Sequence, residues 1–428
     1  MRSIHVWLLS ATLAILALFQ HHPWKSLGVL THDEGGYYVY LPSAFLYHDL
    51  GRADVFQQLA NTTLPTQTAV LGLWELPNGK VISKYSVGIA VGQLPWFLGA
   101  HAYAKWHGDP ADGFSRPYQQ SVMLAGLVYG LLGLWVVRKL LLRYFDDRIA
   151  AWALAGVGLG TNFFAYATYN AAMAHAALFM WQAALLYCTA RWYDTFRPRW
   201  AVGIGLFLGL AALCRPTEIL YVLVPLTWGL TSLAALRRRG ALLLRHAGQL
   251  GLAAAAGAAV LSLQLLFWHA TSGHWVLYSY GNEHFNFANP QILNGLFSFR
   301  KGWLLYTPVA ALMLLGVAPL RRAVPVAVAP CLVLIPVLLY VTFSWYDWAY
   351  GGSFSARPLV SLYPLLALPL AALIAWARQA PWGAVVQMAV VLCIVLNLWQ
   401  TWQYAGGIIL YDRNTAELYR RNFFHLSL

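Results

Sequence analysis

Two adjacent carboxylates, Asp33 and Glu34, stand in the stretch THDEGGYYVY, directly after the first apolar run of the chain. Ionised side chains beside a hydrocarbon layer lose hydration and regain it only through a partner or a bound ligand, so acids placed there are costly unless used. A carboxylate in that position can act as a general base toward a hydroxyl. Further along come Lys84 of KYSVG, His175 of NAAMAHA, Arg215 and Glu218 of CRPTE, Glu283 and His284 of YGNEHF, Arg300 and Lys301 of FSFRKGW, and Asp347 and Arg357 of WYDWAYGGSFSARP. Arg215 and Arg357 each adjoin a proline at the end of an apolar run, where only a carboxylate or a bound anion can partner a guanidinium. Lys84, Arg215, Arg300, Lys301 and Arg357 are the cations available to pair with a bound anion.

Several of these residues have a plainer use. His175 on an apolar helix fits a hydrogen-bonded core histidine, and Arg300 and Lys301 fit anchors that reach the head-group region. Asp347 lies in an aromatic run that forms either an interface belt or a shelf on which a sugar stacks. Two acids with an imidazole can also hold a divalent metal, so Asp33, Glu34 and His175 carry that alternative.

The elements that must position these groups follow from composition. Of the 428 residues, 60% are hydrophobic and only 10% charged, with 20 tryptophans, and the mean hydropathy is +0.55. Such a chain is an all-α polytopic membrane protein rather than a soluble domain. The net charge of +13 does not indicate nucleic acid, because the cations sit in short clusters between apolar runs, as positive-inside anchors do. The four cysteines, Cys188, Cys214, Cys331 and Cys393, lie in separate apolar runs without a CxxC pair, which argues against a disulfide framework or a zinc site.

Ile4 to Gln20 predicts a first span of about 17 residues with its amino terminus inside, retained as an anchor because HHPW lacks a cleavage pattern. A long outer loop over 20–119 then holds most of the acid, and two of its stretches, Tyr37–Leu50 and Tyr85–Trp106, predict helices lying in the interface. The second is long enough to cross, but crossing would put RKLLLRYFDDR outside, against the positive-inside pattern. Apolar runs near Ser121–Leu142, Ile149–Ala165, Ala172–Ala190, Ala201–Leu213, Ile219–Leu236, Gln249–Trp268, Trp303–Leu320, Ala323–Phe343, Leu359–Ala377 and Trp382–Tyr404 bring the expected total to about eleven spans. The inner loops carry the clusters Arg138/Lys139/Arg143/Arg148, Arg191/Arg197/Arg199 and Arg237/Arg238/Arg239/Arg245. No repeat or linker divides residues 1–428, which read as one membrane domain. With this topology the reactive residues gather on the outer face. Asn61 of NTT matches a glycosylation acceptor, a pattern common by chance.

The stretches THDEGGYY, KYSVG, CRPTE, FSFRKGWLLYTP and WAYGGSFSARP, in this order and on this face, resemble the polytopic glycosyltransferases of the GT-C superfamily, in particular bacterial relatives of dolichyl-phosphate-mannose protein mannosyltransferases. The likeness runs over nearly the whole chain. It implies an enzyme of the cytoplasmic membrane that takes a sugar from a polyprenyl-phosphate carrier and transfers it, with inversion, to a lipid, glycan or protein acceptor on the outer face. It also implies that the first acid of the first outer loop, here Asp33, is the base, with Glu34 beside it. The aromatic and glycine-rich stretch from Tyr85 to Phe97 is the expected groove for the carrier tail. The histidine-proline motif and added sugar-binding domain of many eukaryotic O-mannosyltransferases are absent, as is the large outer carboxyl-terminal domain of the lipid A aminoarabinose transferases. A rival of another class is a secondary transporter or carrier flippase, which would place polar residues at mid-span and show related halves. The midspans here are almost purely apolar.

Overall fold

The computed structural model describes residues 2–21, 28–51, 55 and 72–426, so that Asn61 lies outside the described residues. The chain is an all-α membrane protein in its main architecture. Six described helices are long and apolar enough to cross a membrane: Ser3–Gln20, Arg116–Leu141, Ala247–Ser272, Pro325–Phe343, Arg357–Ala377 and Gly383–Ala405. Helix is the form an apolar run takes in lipid, because it pairs every backbone amide and carbonyl within the segment. Pro198–Cys214 and Pro216–Thr227 are shorter apolar helical stretches.

The helix Arg357–Ala377 forms the centre, with 89% of its apolar window buried, whereas Ala247–Ser272 and Gly383–Ala405 bury only 6% and 17% and turn most of their surface outward. Around the centre pack Asp147–Gly160, Val309–Leu315, Val317–Ala323 and His175–Thr195. Close approach is carried by small residues, as is usual where hydrophobic burial cannot drive helices together. A Cβ on Gly205 would stand 1.9 Å from the Ala253 carbonyl oxygen, so Pro198–Cys214 and Ala247–Ser272 touch backbone to backbone there.

Several elements differ from the sequence expectation. The stretch from Tyr37 to Leu50 is no single surface helix but two short ones, His32–Tyr38 and Tyr40–Phe45, hinged at Val39. Its tyrosines are buried because their hydroxyls find partners inside: Tyr38 donates to the Gly113 carbonyl and Tyr40 to that of Tyr85. The second expected interfacial segment is the helix Gly88–His107, which buries Ile89, Ala90, Phe97, Ala100 and Ala104 on one side and ends at Gly108 with φ +83°. Phe97 is packed against Tyr38, with ring centres 6.0 Å apart.

The run near Ile219–Leu236 is broken as well. A 3-10 turn Pro216–Val222 leads into Leu223–Thr227, the chain reverses at Gly229 with φ +77°, and Ser232 caps a separate helix, Leu233–Arg245. Trp303–Leu320 is likewise divided into Trp303–Tyr306, Val309–Leu315 and Val317–Ala323. One element is not helical at all: Leu73–Glu75 pairs antiparallel with Val81–Ser83, Trp74 opposite Ile82. The Asn78-Gly79 dipeptide between them supplies the turn, Gly79 at φ +79°, as that pair commonly does in hairpins.

Candidate active site

This hairpin hands the chain to Lys84 and Tyr85, and the helix His32–Tyr38 presents Asp33 and Glu34 in its first turn. The two arginines arrive by the same local device. An Arg-Pro pair opens each of two 3-10 turns: Arg215 directly precedes Pro216–Val222, and Arg357 is the first residue of Arg357–Leu362. Proline fixes its own φ and disfavours helix in the residue before it, so the chain bends at the arginine and turns its side chain out of the helical stack.

One cavity of about 760 Å³ gathers Asp33, Glu34, Lys84, Arg215, Glu283, Asp347 and Arg357, with Tyr37, Tyr85, Tyr280 and Tyr350 among its aromatic walls. Seven of the twelve residues singled out in the sequence therefore share one space, while Glu218 and His284 lie outside its lining. Asp33 is engaged on both oxygens. Its Oδ2 lies 2.9 Å from Arg357 Nη2, and its Oδ1 accepts the Tyr85 hydroxyl. Burial pushes this carboxyl up, but Arg357, Tyr85 and Lys84 together pull it down by more, so its pKa lies below the ordinary carboxylate value.

Glu34 behaves in the opposite way. Burial first, and the neighbouring Asp33 charge second, push it up to about 8, with its own backbone amide and Arg357 opposing. Two adjacent carboxyls in one cavity are thus driven apart, one ionised and one protonated near neutrality. Such a pair titrates jointly and divides acid and base roles between its members.

The cations differ in how they are held. Lys84 Nζ bonds to Glu283 Oε1 at 2.8 Å and stands 5.2 Å from the Tyr85 ring centre. Arg357 is taken up by Asp33, with Nη1 3.9 Å from Met173 Sδ. Among the described residues Arg215 reaches only Glu218, at 4.0 Å, so its guanidinium is there the cavity cation with the most unused donors. Glu218 itself is buried behind the wall and accepts Gln182 Nε2 at 2.8 Å and Ser361 Oγ at 3.0 Å. Because Ser361 belongs to the turn that starts at Arg357, one carboxylate ties both Arg-Pro turns to the same core.

Asp347 shapes the wall rather than reaching across it. Its Oδ2 accepts the Gly351 amide at 2.7 Å, closing a tight turn in which Tyr350 and Gly351 have φ +57° and +58°.

Three candidates stand elsewhere. Arg300 makes a two-pronged pair with Asp412, at 2.9 and 3.3 Å, outside the cavity lining. Lys301 is buried, and its ammonium donates to the carbonyls of Ser353 and Tyr411, pinning the tail to the loop that carries Asp347. Burial, the first cause, pushes that ammonium down to about 7. His175 opens the helix His175–Thr195 as a core residue, its ring edge-on to Tyr166 at 4.7 Å. It is not among the residues that line the cavity with Asp33 and Glu34, and among the described residues no three His, Cys, Asp or Glu side chains converge into a metal-binding set.

Sequence reasoning missed Tyr85 as a site builder, and it grouped Glu218 with the other candidates without giving it a role. Tyr85 was signalled only by its place next to Lys84, and Glu218 by lying three residues after Arg215, the spacing at which side chains on one helical face meet. Comparison with known proteins adds no identification: no family model matches the chain, and no curated protein matches it.

Proposed function

We propose that the protein is a membrane glycosyltransferase of the GT-C kind, moving a sugar from a polyprenyl-phosphate carrier to a lipid, glycan or protein acceptor at the outer face of the cytoplasmic membrane. The observation that carries this reading is the convergence, in one cavity, of the adjacent carboxyl groups of Asp33 and Glu34 with the guanidinium groups of Arg215 and Arg357. The accompanying topology has about eleven crossings with the amino terminus inside, counting short and broken apolar stretches as well as the six long helices.

In this scheme the acceptor hydroxyl oxygen attacks the anomeric carbon from the face opposite the carrier. The bond between that carbon and the phosphate oxygen breaks, and the hydroxyl proton passes to Asp33. The carrier phosphate leaves with the bonding electrons, and Arg215, with Lys84 and Arg357 nearby, stabilises its growing charge. Glu34, protonated, donates a hydrogen bond within the same space. A cavity of this volume is ample for a sugar and its phosphate.

The test incubates purified protein with polyprenyl-phosphate sugars and an envelope extract, and compares the parent with Asp33→Asn. Transfer by the parent and its loss in the variant are expected; equal transfer by both would remove Asp33 from the chemistry. A reporter fused after Arg116 should also read as outside.

A further inference from the structure

The helix Leu233–Arg245 has no buried residue, although it is strongly two-sided in composition. At 100° per residue, Leu233, Leu236, Gly240, Leu243 and Leu244 fall on one arc, with Arg237 at its edge and Arg238 and Arg245 beyond. Leu243 packs against the core, but Leu233 is 76%, Leu236 54% and Leu244 77% exposed. A mobile connecting strand would explain exposed leucines, but this helix is fixed at both ends. Ser232 caps it through the Ala235 amide at 3.1 Å. Arg239 donates to the Tyr193 hydroxyl and the Trp228 carbonyl, and His246 stacks on Phe196 at 4.3 Å.

The four arginines thus divide into one clamp and three outward charges. Among the described residues Arg237, Arg238 and Arg245 have no carboxylate within ion-pair distance. The acids of the neighbouring loops are already engaged: Asp194 by Arg143, Asp146 by Arg378 and Asp147 by Ser3. Through His246 the helix runs directly into Ala247–Ser272, the least buried of the six long apolar helices.

We propose that Leu233–Arg245 is a docking surface for anionic phospholipid, with Arg237, Arg238 and Arg245 on head-group phosphates and Leu233, Leu236 and Leu244 in the adjoining acyl region. Continuity with an outward-facing span puts these leucines beside hydrocarbon, where a soluble partner has no access to them. A basic polar face joined to an apolar one is the arrangement that lies in the plane of a charged bilayer. Each arginine near an anionic surface favours it by about fivefold, so three together give a preference on the order of a hundredfold over a neutral lipid surface. The clamp at Arg239 sets the helix angle before any lipid arrives.

The test places the full-length protein in bilayer discs of phosphatidylcholine doped with phosphatidylglycerol, then reads retained lipids by native mass spectrometry. The parent is expected to retain phosphatidylglycerol at least about tenfold above its bulk fraction. Replacing Arg237→Gln, Arg238→Gln and Arg245→Gln together should abolish that enrichment with the unfolding temperature unchanged, since none of the three has an ion-pair partner to lose. A second variant, Leu233→Asn with Leu244→Asn, keeps the charge and should weaken retention severalfold. Equal enrichment in the parent and the arginine variant would overturn the proposal. So would displacement of the lipid by soluble glycerol phosphate at matching concentration, because the site would then be one for free phosphate. Neither outcome bears on the proposed sugar transfer, because no residue of this helix lines the cavity that holds Asp33 and Arg215.

Discussion

Asp33 and Arg357, from near the two ends of the chain, face each other at 2.9 Å on the wall of a shared cavity, with the Tyr85 hydroxyl on the other Asp33 oxygen. The pair fastens the short helix His32–Tyr38 to the start of the central helix. It also leaves Asp33 ionised and oriented, the state a general base requires. In the proposed reaction an anionic donor phosphate would compete for the same guanidinium, coupling donor binding to release of the Asp33 carboxylate.

This pair predicts a non-additive mutant cycle. Arg357→Met strands a partly buried carboxylate and Asp33→Asn strands a guanidinium, each expected to cost about 2 kcal/mol or more of stability, because removing one partner leaves an uncompensated charge. The double variant should lose less than the sum of the two. Thermal unfolding in detergent measures this, and strict additivity would show that the two groups do not interact. Sugar transfer should fall by roughly 100- to 10,000-fold in any variant lacking Asp33, the range that one general base supplies.

Arg215 is expected to behave differently, because among the described residues its one ion-pair partner is Glu218, at 4.0 Å. Arg215→Ala should cut transfer by about 100-fold, the loss typical of one preorganised charge contact. Arg215→Lys should restore part of the rate, since it returns the charge without the two-pronged geometry. Steady-state rates with a polyprenyl-phosphate sugar provide the measurement. Wild-type rates in Arg215→Ala would assign the guanidinium to anchoring alone.

Much of this was legible before any coordinates. Apolar runs bounded by arginine clusters reveal helices, and charges confined to particular loops reveal which residues can meet, so Asp33, Lys84, Arg215, Glu283 and Arg357 could be grouped from sequence. What sequence could not reveal was pairing. Arg300 reads like Arg357, yet Asp412 holds it outside the cavity, and Lys301 is consumed by two carbonyls. Both outcomes depend on where the carboxyl-terminal tail folds back, which no local pattern encodes. Helix breaks at Gly229 and at Thr307-Pro308 were also hidden, because hydropathy averages over the turns that interrupt an apolar run.

Glu34 gives a pH signature with a definite sign. Its ordinary value is 4.5 and the folded value about 8, so between these the native state holds a proton that the unfolded chain has lost. Its contribution to stability therefore falls as pH rises from about 4.5 to about 8, and is constant outside that window. Glu34→Gln removes the slope, and the unfolding temperature of the variant should gain on that of the parent as pH increases. Asp33 runs the other way, its stabilisation being present above the ordinary carboxylate value and lost on acidification. Asp33→Asn also removes one cause of the Glu34 shift, so the parent's inflection near pH 8 should move lower in that variant. An unmoved inflection would mean that the two carboxyls do not sense each other.

Gly88 offers a way to disturb the site without touching a charged group. It begins the helix Gly88–His107, and a Cβ there would stand 2.3 Å from the amide nitrogen of Cys214, the residue before Arg215. Backbone lies on the other side of that contact, so no side-chain rotation can relieve it, and Gly88→Ala must move either the helix start or the Cys214–Arg215 peptide. Both carry site residues: Tyr85 lies three positions before Gly88, and Arg215 follows Cys214 directly. Overpacking of this kind costs about 1–3 kcal/mol, and the displacement should lower transfer by about tenfold or more, since small misplacements of a catalytic contact are disproportionately expensive. The control is Gly99→Ala in the same helix, where an added Cβ meets nothing within 4 Å. That variant should keep parental stability and rate, and a loss equal to that of Gly88→Ala would locate the effect in the helix as a whole instead of at its contact with Cys214.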